Sequence, residues 1–89
     1  MKAIITIIGK DRVGILAEIA RFVSEARCNV EDIQQTIMQG NFVMMMMVSL
    51  DTSPLSFGEI KSGLDKVALT ADVSIRIQRT EIFDEMYHI

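Results

Sequence analysis

The stretch Gly9-Lys10-Asp11-Arg12-Val13-Gly14-Ile15-Leu16-Ala17-Glu18-Ile19 joins two patterns of different period. Before it, Lys2 to Ile8 is apolar on both alternating faces, with Ala3, Ile5 and Ile7 on one side and Ile4 and Ile8 on the other. A strand of that kind belongs in the middle of a sheet. After it, Ile15, Leu16, Ile19, Phe22, Val23 and Ala26 recur at helical spacing while Glu18, Arg21, Ser24 and Glu25 fall on the opposite face, which predicts a helix from about Val13 to Arg27. The stretch therefore reads as strand, tight loop, helix. Gly9 and Gly14 allow the loop backbone to approach a ligand with no Cβ in the way. The N–H groups that open the helix point into that loop and suit an anion such as a carboxylate. Asp11 is placed to cap the same helix, an interaction worth ~1 kcal/mol against Ala.

Downstream, Val30 to Gln39 is a half-polar run carrying Glu31, Asp32, Gln34, Gln35 and Thr36, the pattern of an edge strand. Gly40-Asn41 reads as a two-residue hairpin turn into a third strand, Phe42 to Leu50, again apolar on both faces and therefore central. Pro54 ends that run. Ser56 with Glu59 forms a capping box flanked by Leu55 and Ile60 as a hydrophobic staple, so a second helix starts there with Phe57, Ile60, Leu64 and Val67 as its buried stripe. Gly58 and Gly63 each weaken it by ~1 kcal/mol relative to Ala. Asp72 to Arg79 alternates, with Val73, Ile75 and Ile77 inward, as a second edge strand.

The order is βαββαβ, an α+β, ferredoxin-like sandwich in which a four-stranded antiparallel sheet of order 4-1-3-2 carries both helices on one face. The other face is left bare. It presents either Ile4 and Ile8 with two of the methionines Met44 to Met47, or Ala3, Ile5 and Ile7 with the other two. An apolar surface of that size requires a cover, either a second copy, making a homodimer, or the C-terminal tail. The tail, residues 80–89, has Ile82, Phe83, Met86 and Tyr87 at helical spacing behind Thr80 and is expected to form a short helix only when docked.

With 89 residues the chain is a single domain, residues 1–89. Nine Lys and Arg against twelve Asp and Glu, net charge -3, give no basic field for nucleic acid. No apolar run approaches the roughly 20 residues that span a bilayer, and the start has no cleavage-site pattern, so the expectation is a cytoplasmic protein with no membrane partner. The lone Cys28 rules out a disulfide framework and a structural zinc site, and it reads as a small core residue; the one histidine, His88, sits in the tail. Four successive methionines suggest Cu(I), but alternation sends Met44 and Met46 to one face and Met45 and Met47 to the other. Core and interface filling suits them better. No metal or cofactor is expected.

The segment Asp11 to Leu16, following an Ile-rich strand and preceding an amphipathic helix, together with Asn29-Val30 at the start of the second strand and the Ile82-Phe83-x-x-Met86-Tyr87 tail, resembles the ACT domains. These are small modules that bind amino acids and regulate metabolic enzymes, and the tail is similar to that of small stand-alone members. The resemblance covers the whole chain. It implies that Gly14 lets loop N–H groups of Val13, Ile15 and Leu16 meet an amino-acid carboxylate, while Asp11 and Asn29 hold its polar groups, often across a dimer interface. Two residues depart from the family pattern: Val13 stands where Pro is frequent, and Gly9 where some serine-binding members have His. Read by themselves, Gly14 also fits close helix–strand packing, Asp11 a simple cap and Asn29 a left-handed turn residue.

Enzymatic readings find little to stand on. An acylphosphatase of this topology needs a phosphate-cradling loop with an Arg and a strand Asn that orients water, and Asn41 is expected in the hairpin turn, far from the first loop. There is no Ser-His-Asp set. RNA-binding relatives of the topology stack bases on strand aromatics, which are absent apart from Phe42. The expectation is thus a non-enzymatic regulatory module that binds an amino acid or similar small molecule and acts in trans on a metabolic enzyme; the alternative is an adaptor domain that binds protein with no small ligand.

Overall fold

The computed structural model describes residues 1–10 and 14–80. Six elements follow in order: β1 (Lys2–Lys10), α1 (Ile15–Glu25), β2 (Asn29–Met38), β3 (Asn41–Ser49), α2 (Phe57–Ala71) and β4 (Ser74–Arg79). The strands form one sheet of order β2-β3-β1-β4, antiparallel at every pairing. This is the ferredoxin-like arrangement expected from the pattern. No helix among the described residues is long and apolar enough to cross a membrane.

Register decides which apolar set meets the helices. Ile5 pairs with Met46 and Ile77, and Ile7 with Met44 and Ile75, so these side chains share a face. Ala3, Ile5, Ile7, Met44, Met46 and Val48 are buried there against Ile15, Ile19 and Val23 of α1 and Ile60 and Leu64 of α2. Each fully buried Ile or Met contributes roughly 1.5–3 kcal/mol through area removed from water. Ile4, Thr6, Ile8, Met45 and Met47 therefore lie on the open face.

Local chemistry sets the ends of the elements. Ser56 Oγ accepts from Glu59 N–H at 3.2 Å and Glu59 Oε1 accepts from Ser56 N–H at 3.1 Å, the complete capping box. At the far end Asp72 takes the left-handed region (φ 57°) and Val73 N–H donates to Ala68 C=O at 3.1 Å. That closure holds Asp72 and Val73 out of the sheet, so β4 begins at Ser74 rather than at Asp72. α1 closes in the same way, with Arg27 left-handed (φ 60°) and Cys28 N–H on Val23 C=O at 3.1 Å.

Three further sequence expectations shift. The hairpin turn is Gln39-Gly40 rather than Gly40-Asn41, because those two residues carry the positive φ (53° and 80°) that a tight turn matched to strand twist requires. α1 starts at Ile15 rather than near Val13. Leu16, placed by its spacing in the buried stripe, is 42 % exposed, since the buried face is the Ile15, Ile19, Val23 row one turn apart and Leu16 lies a step around from it. The expected cap Asp11, the loop residues Arg12 and Val13, and the tail beyond Thr80 lie outside the described residues.

Two glycines prove to be packing devices. A Cβ on Gly9 would lie 2.5 Å from Val73 Cγ1, so the space beside Gly9 belongs to Val73 and not to a ligand. A Cβ on Gly63 would lie 2.4 Å from Phe22 Cε1, so the glycine that weakens α2 admits the α1 ring between the helices.

Candidate functional site

The expected ligand loop joins β1 to α1, and Gly14 is its described residue at the mouth of the helix. Gly14 occupies the N-cap of α1 with φ 101° and ψ -14°, and its C=O accepts the first intrahelical bond from Glu18 N–H at 3.0 Å. Among the described residues a Cβ there would meet nothing within 4 Å. Glycine is thus required by backbone conformation and not by close helix–strand packing, and an exposed, uncrowded backbone is left at the helix start. Among the described residues no side chain caps this end. The N–H groups of Ile15, Leu16 and Ala17 precede the first intrahelical bond and open toward the loop at the positive end of the α1 dipole.

Ile15 enters that mouth only through its backbone, since its side chain is buried in the core. Leu16 presents an exposed side chain beside it. Asp11 and Val13 fall outside the described residues.

Asn29 lies elsewhere within one chain. It pairs with Ser49, which pairs with Lys2, so it sits level with the start of β1 whereas the loop leaves the end of β1 at Lys10. Eight strand steps of ~3.3 Å separate those levels, roughly 25 Å. Asn29 is exposed at the head of β2, the outer edge strand, whose ten residues are all exposed.

Other polar groups gather at the loop end of the sheet. Asn41 is directly opposite Lys10, so it is adjacent to the departure of the loop and not far from it as its place in a turn had implied. Distance is therefore no ground for excluding acylphosphatase chemistry. A depression of about 470 Å³ at this end is lined by Lys10, Asn41, Asp72 and Ser74 over a floor of Ile8, Gly9 and Val73. The signal that could have found Lys10 and Asn41 is the hairpin phase: moving the turn back by one residue puts Asn41 into the strand.

Elsewhere, partial burial pushes the Cys28 thiol up, with a Ser53 hydrogen bond pulling part of the way back, so Cys28 carries little thiolate. Among the described residues no group of three His, Cys, Asp or Glu converges as a metal set.

The sequence pattern that defines the ACT domain matches residues 2–78. The chain belongs to the ACT domain family. It is 46 % identical, over the full length of both chains, to a UPF0237 protein of Clostridium acetobutylicum. Among solved structures it superposes on an ACT domain protein from Streptococcus pneumoniae with TM-score 0.83 and 38 % identity, covering 93 % of each chain. It also superposes on the regulatory subunit of aspartate kinase from Thermus thermophilus with TM-score 0.64 and 23 % identity, covering 86 % of this chain and 50 % of that one, a likeness of fold. As an ACT domain it falls in a family of regulatory, ligand-binding modules, and nothing in these likenesses points to a catalytic family.

Proposed function

We propose that this ACT domain is a non-enzymatic sensor that binds an amino acid at the β1–α1 loop as a homodimer and acts in trans on a metabolic enzyme or regulator. The observation that carries the reading is the left-handed, uncrowded Gly14 at the head of α1, which leaves the Ile15 to Ala17 N–H groups open to a carboxylate. The ligand ammonium needs acceptors, and Asp11 and the side-chain carbonyl of Asn29 are of the right type.

The separation of Asn29 from the loop supports a site shared between two copies. β2 is an exposed edge ten residues long, and a second β2 pairing antiparallel to it would run the opposite way. The partner's Asn29 would then stand at the end of the sheet from which the first copy's loop departs. The edge strand also favours the second reading, an adaptor whose open edge takes up another protein with no small ligand.

Calorimetric titration of the purified protein with the standard amino acids separates the two. The sensor reading expects saturable heat from at least one of them, with one site per chain. A panel without heat leaves the adaptor reading.

A further inference from the structure

Ile33-Gln34-Gln35-Thr36-Ile37, in the middle of β2, has the same chemistry in either direction, with an isoleucine at each end, polar residues inside and an amide at the centre. β2 is the outer strand on its side of the sheet, and all ten of its residues are exposed. Ile33, Gln35 and Ile37 pair with Met46, Met44 and Phe42, so their side chains stand on the side that carries the helices. There the helix layer falls short of the edge, leaving Ile33 43 % exposed and Ile37 59 % exposed. Leu16 adds to this apolar surface. It lies about 120° around α1 from Phe22, which meets α2 at Gly63, so Leu16 is on the flank turned away from α2 and toward β2.

Opposite residues of an antiparallel pair share a face, so a twofold axis that pairs β2 with its own copy passes through a residue. Only an axis at Gln35 sets both isoleucines against isoleucines, Ile33 of each copy on Ile37 of the other. It also brings together two Gln35 amides, each of which can donate and accept. Moved to Gln34, the axis sets Ile33 against Gln35 and Ile37 against Glu31. Moved to Ile33, it makes the two Asp32 carboxylates diagonal neighbours. With the axis at Gln35 they are separated by roughly 20 Å of strand, more than two Debye lengths at physiological salt. A palindrome is what contact between identical patches requires, and it gives a foreign strand no advantage.

We propose that two copies of this chain join through β2, antiparallel and centred on Gln35, with Ile33 of each packed on Ile37 of the other and Leu16 flanking the contact. The pairing rests on the homodimer of the proposed function and needs no bound amino acid.

The test is oxidation of full-length single-cysteine variants in a Cys28→Ser background, followed on a non-reducing gel. Successive antiparallel pairs alternate between wide and narrow, so one of the two central pairings is of the narrow kind that a disulfide spans. Either Gln35→Cys alone, or Gln34→Cys mixed with Thr36→Cys, should form covalent dimer at least tenfold faster than Gln34→Cys alone, Thr36→Cys alone or Leu69→Cys, a site 84 % exposed on α2. Fastest linking by Gln34→Cys alone or by Ile33→Cys alone would move the axis and overturn the proposal. Linking by every β2 variant no faster than by Leu69→Cys would overturn it as well, and would leave the edge to another protein. Absence of amino-acid binding in calorimetry leaves these cross-links in place, so the ligand reading and this pairing fail separately.

Discussion

Phe22 of α1 lies where the β-carbon of residue 63 of α2 would stand, with Cε1 2.4 Å and Cζ 2.5 Å from that position. The helices approach closely because Gly63 has no side chain. Gly63→Ala improves helix propensity by ~1 kcal/mol but forces the ring to move, and overpacking of this kind costs about 1–3 kcal/mol. Chemical denaturation should show net destabilisation in the native background. In a Phe22→Ala background the same substitution should stabilise. A Gly63→Ala effect of the same sign in both backgrounds would show that the ring yields freely.

Gly9→Ala makes a parallel prediction with a functional reading attached. The methyl would meet Val73 Cγ1 at 2.5 Å and Cβ at 3.1 Å, and a β-branched side chain has little rotamer freedom with which to retreat. The melting temperature should fall by several degrees, corresponding to about 1–3 kcal/mol, while amino-acid affinity stays close to native. Loss of affinity with an unchanged melting temperature would instead make Gly9 a ligand position.

Gly14 should behave in the opposite way in space but not in stability. Among the described residues beyond its chain neighbours nothing stands within 4 Å of a Cβ there, yet φ is 101°, so Gly14→Ala should cost about 1–3 kcal/mol through backbone strain alone. Gly14→Val, bulkier beside the open N–H groups, should further depress ligand binding. Equal affinities for the Ala and Val variants, measured by calorimetry, would mean that no ligand group lies against this backbone.

Much of this architecture was legible because it rests on local rules. The Ile-rich β1, the period switch at Gly9 to Ile19 and the Ser56–Glu59 box each specify an element with neighbours in sequence only, and their order determines the sheet. The open-face set, Ile4 and Ile8 with Met45 and Met47, was legible as one of two alternatives, and strand register chose between them. What sequence could not supply was tertiary approach. Gly9 and Gly63 look like a ligand loop residue and a helix weakness until Val73 and Phe22 are seen beside them. Likewise Asn29 follows Gly14 by only fifteen positions, but α1 runs the length of the sheet between them and carries Asn29 to the far end. The one-residue error in the hairpin hid Asn41 from the loop for the same reason: pairing phase is decided by which residues accept positive φ, and Gln39 does so here.

Asp11→Ala and Asn29→Ala should each weaken binding of the preferred amino acid by about 1.5–3 kcal/mol through loss of a charge-assisted or amide partner, with sedimentation unchanged. A drop in melting temperature for Asp11→Ala with affinity untouched would identify Asp11 as a helix cap.

The shared site is tested most directly by mixing those two variants. In a twofold dimer that takes its loop from one copy and Asn29 from the other, each mixed dimer contains one site with both residues intact and one with neither. After subunit exchange, calorimetry should therefore recover native affinity at about a quarter of the native site number. If Asp11 and Asn29 act within one chain, or if either is not a ligand contact, mixing the variants will recover no native-affinity sites beyond those already present in each variant alone.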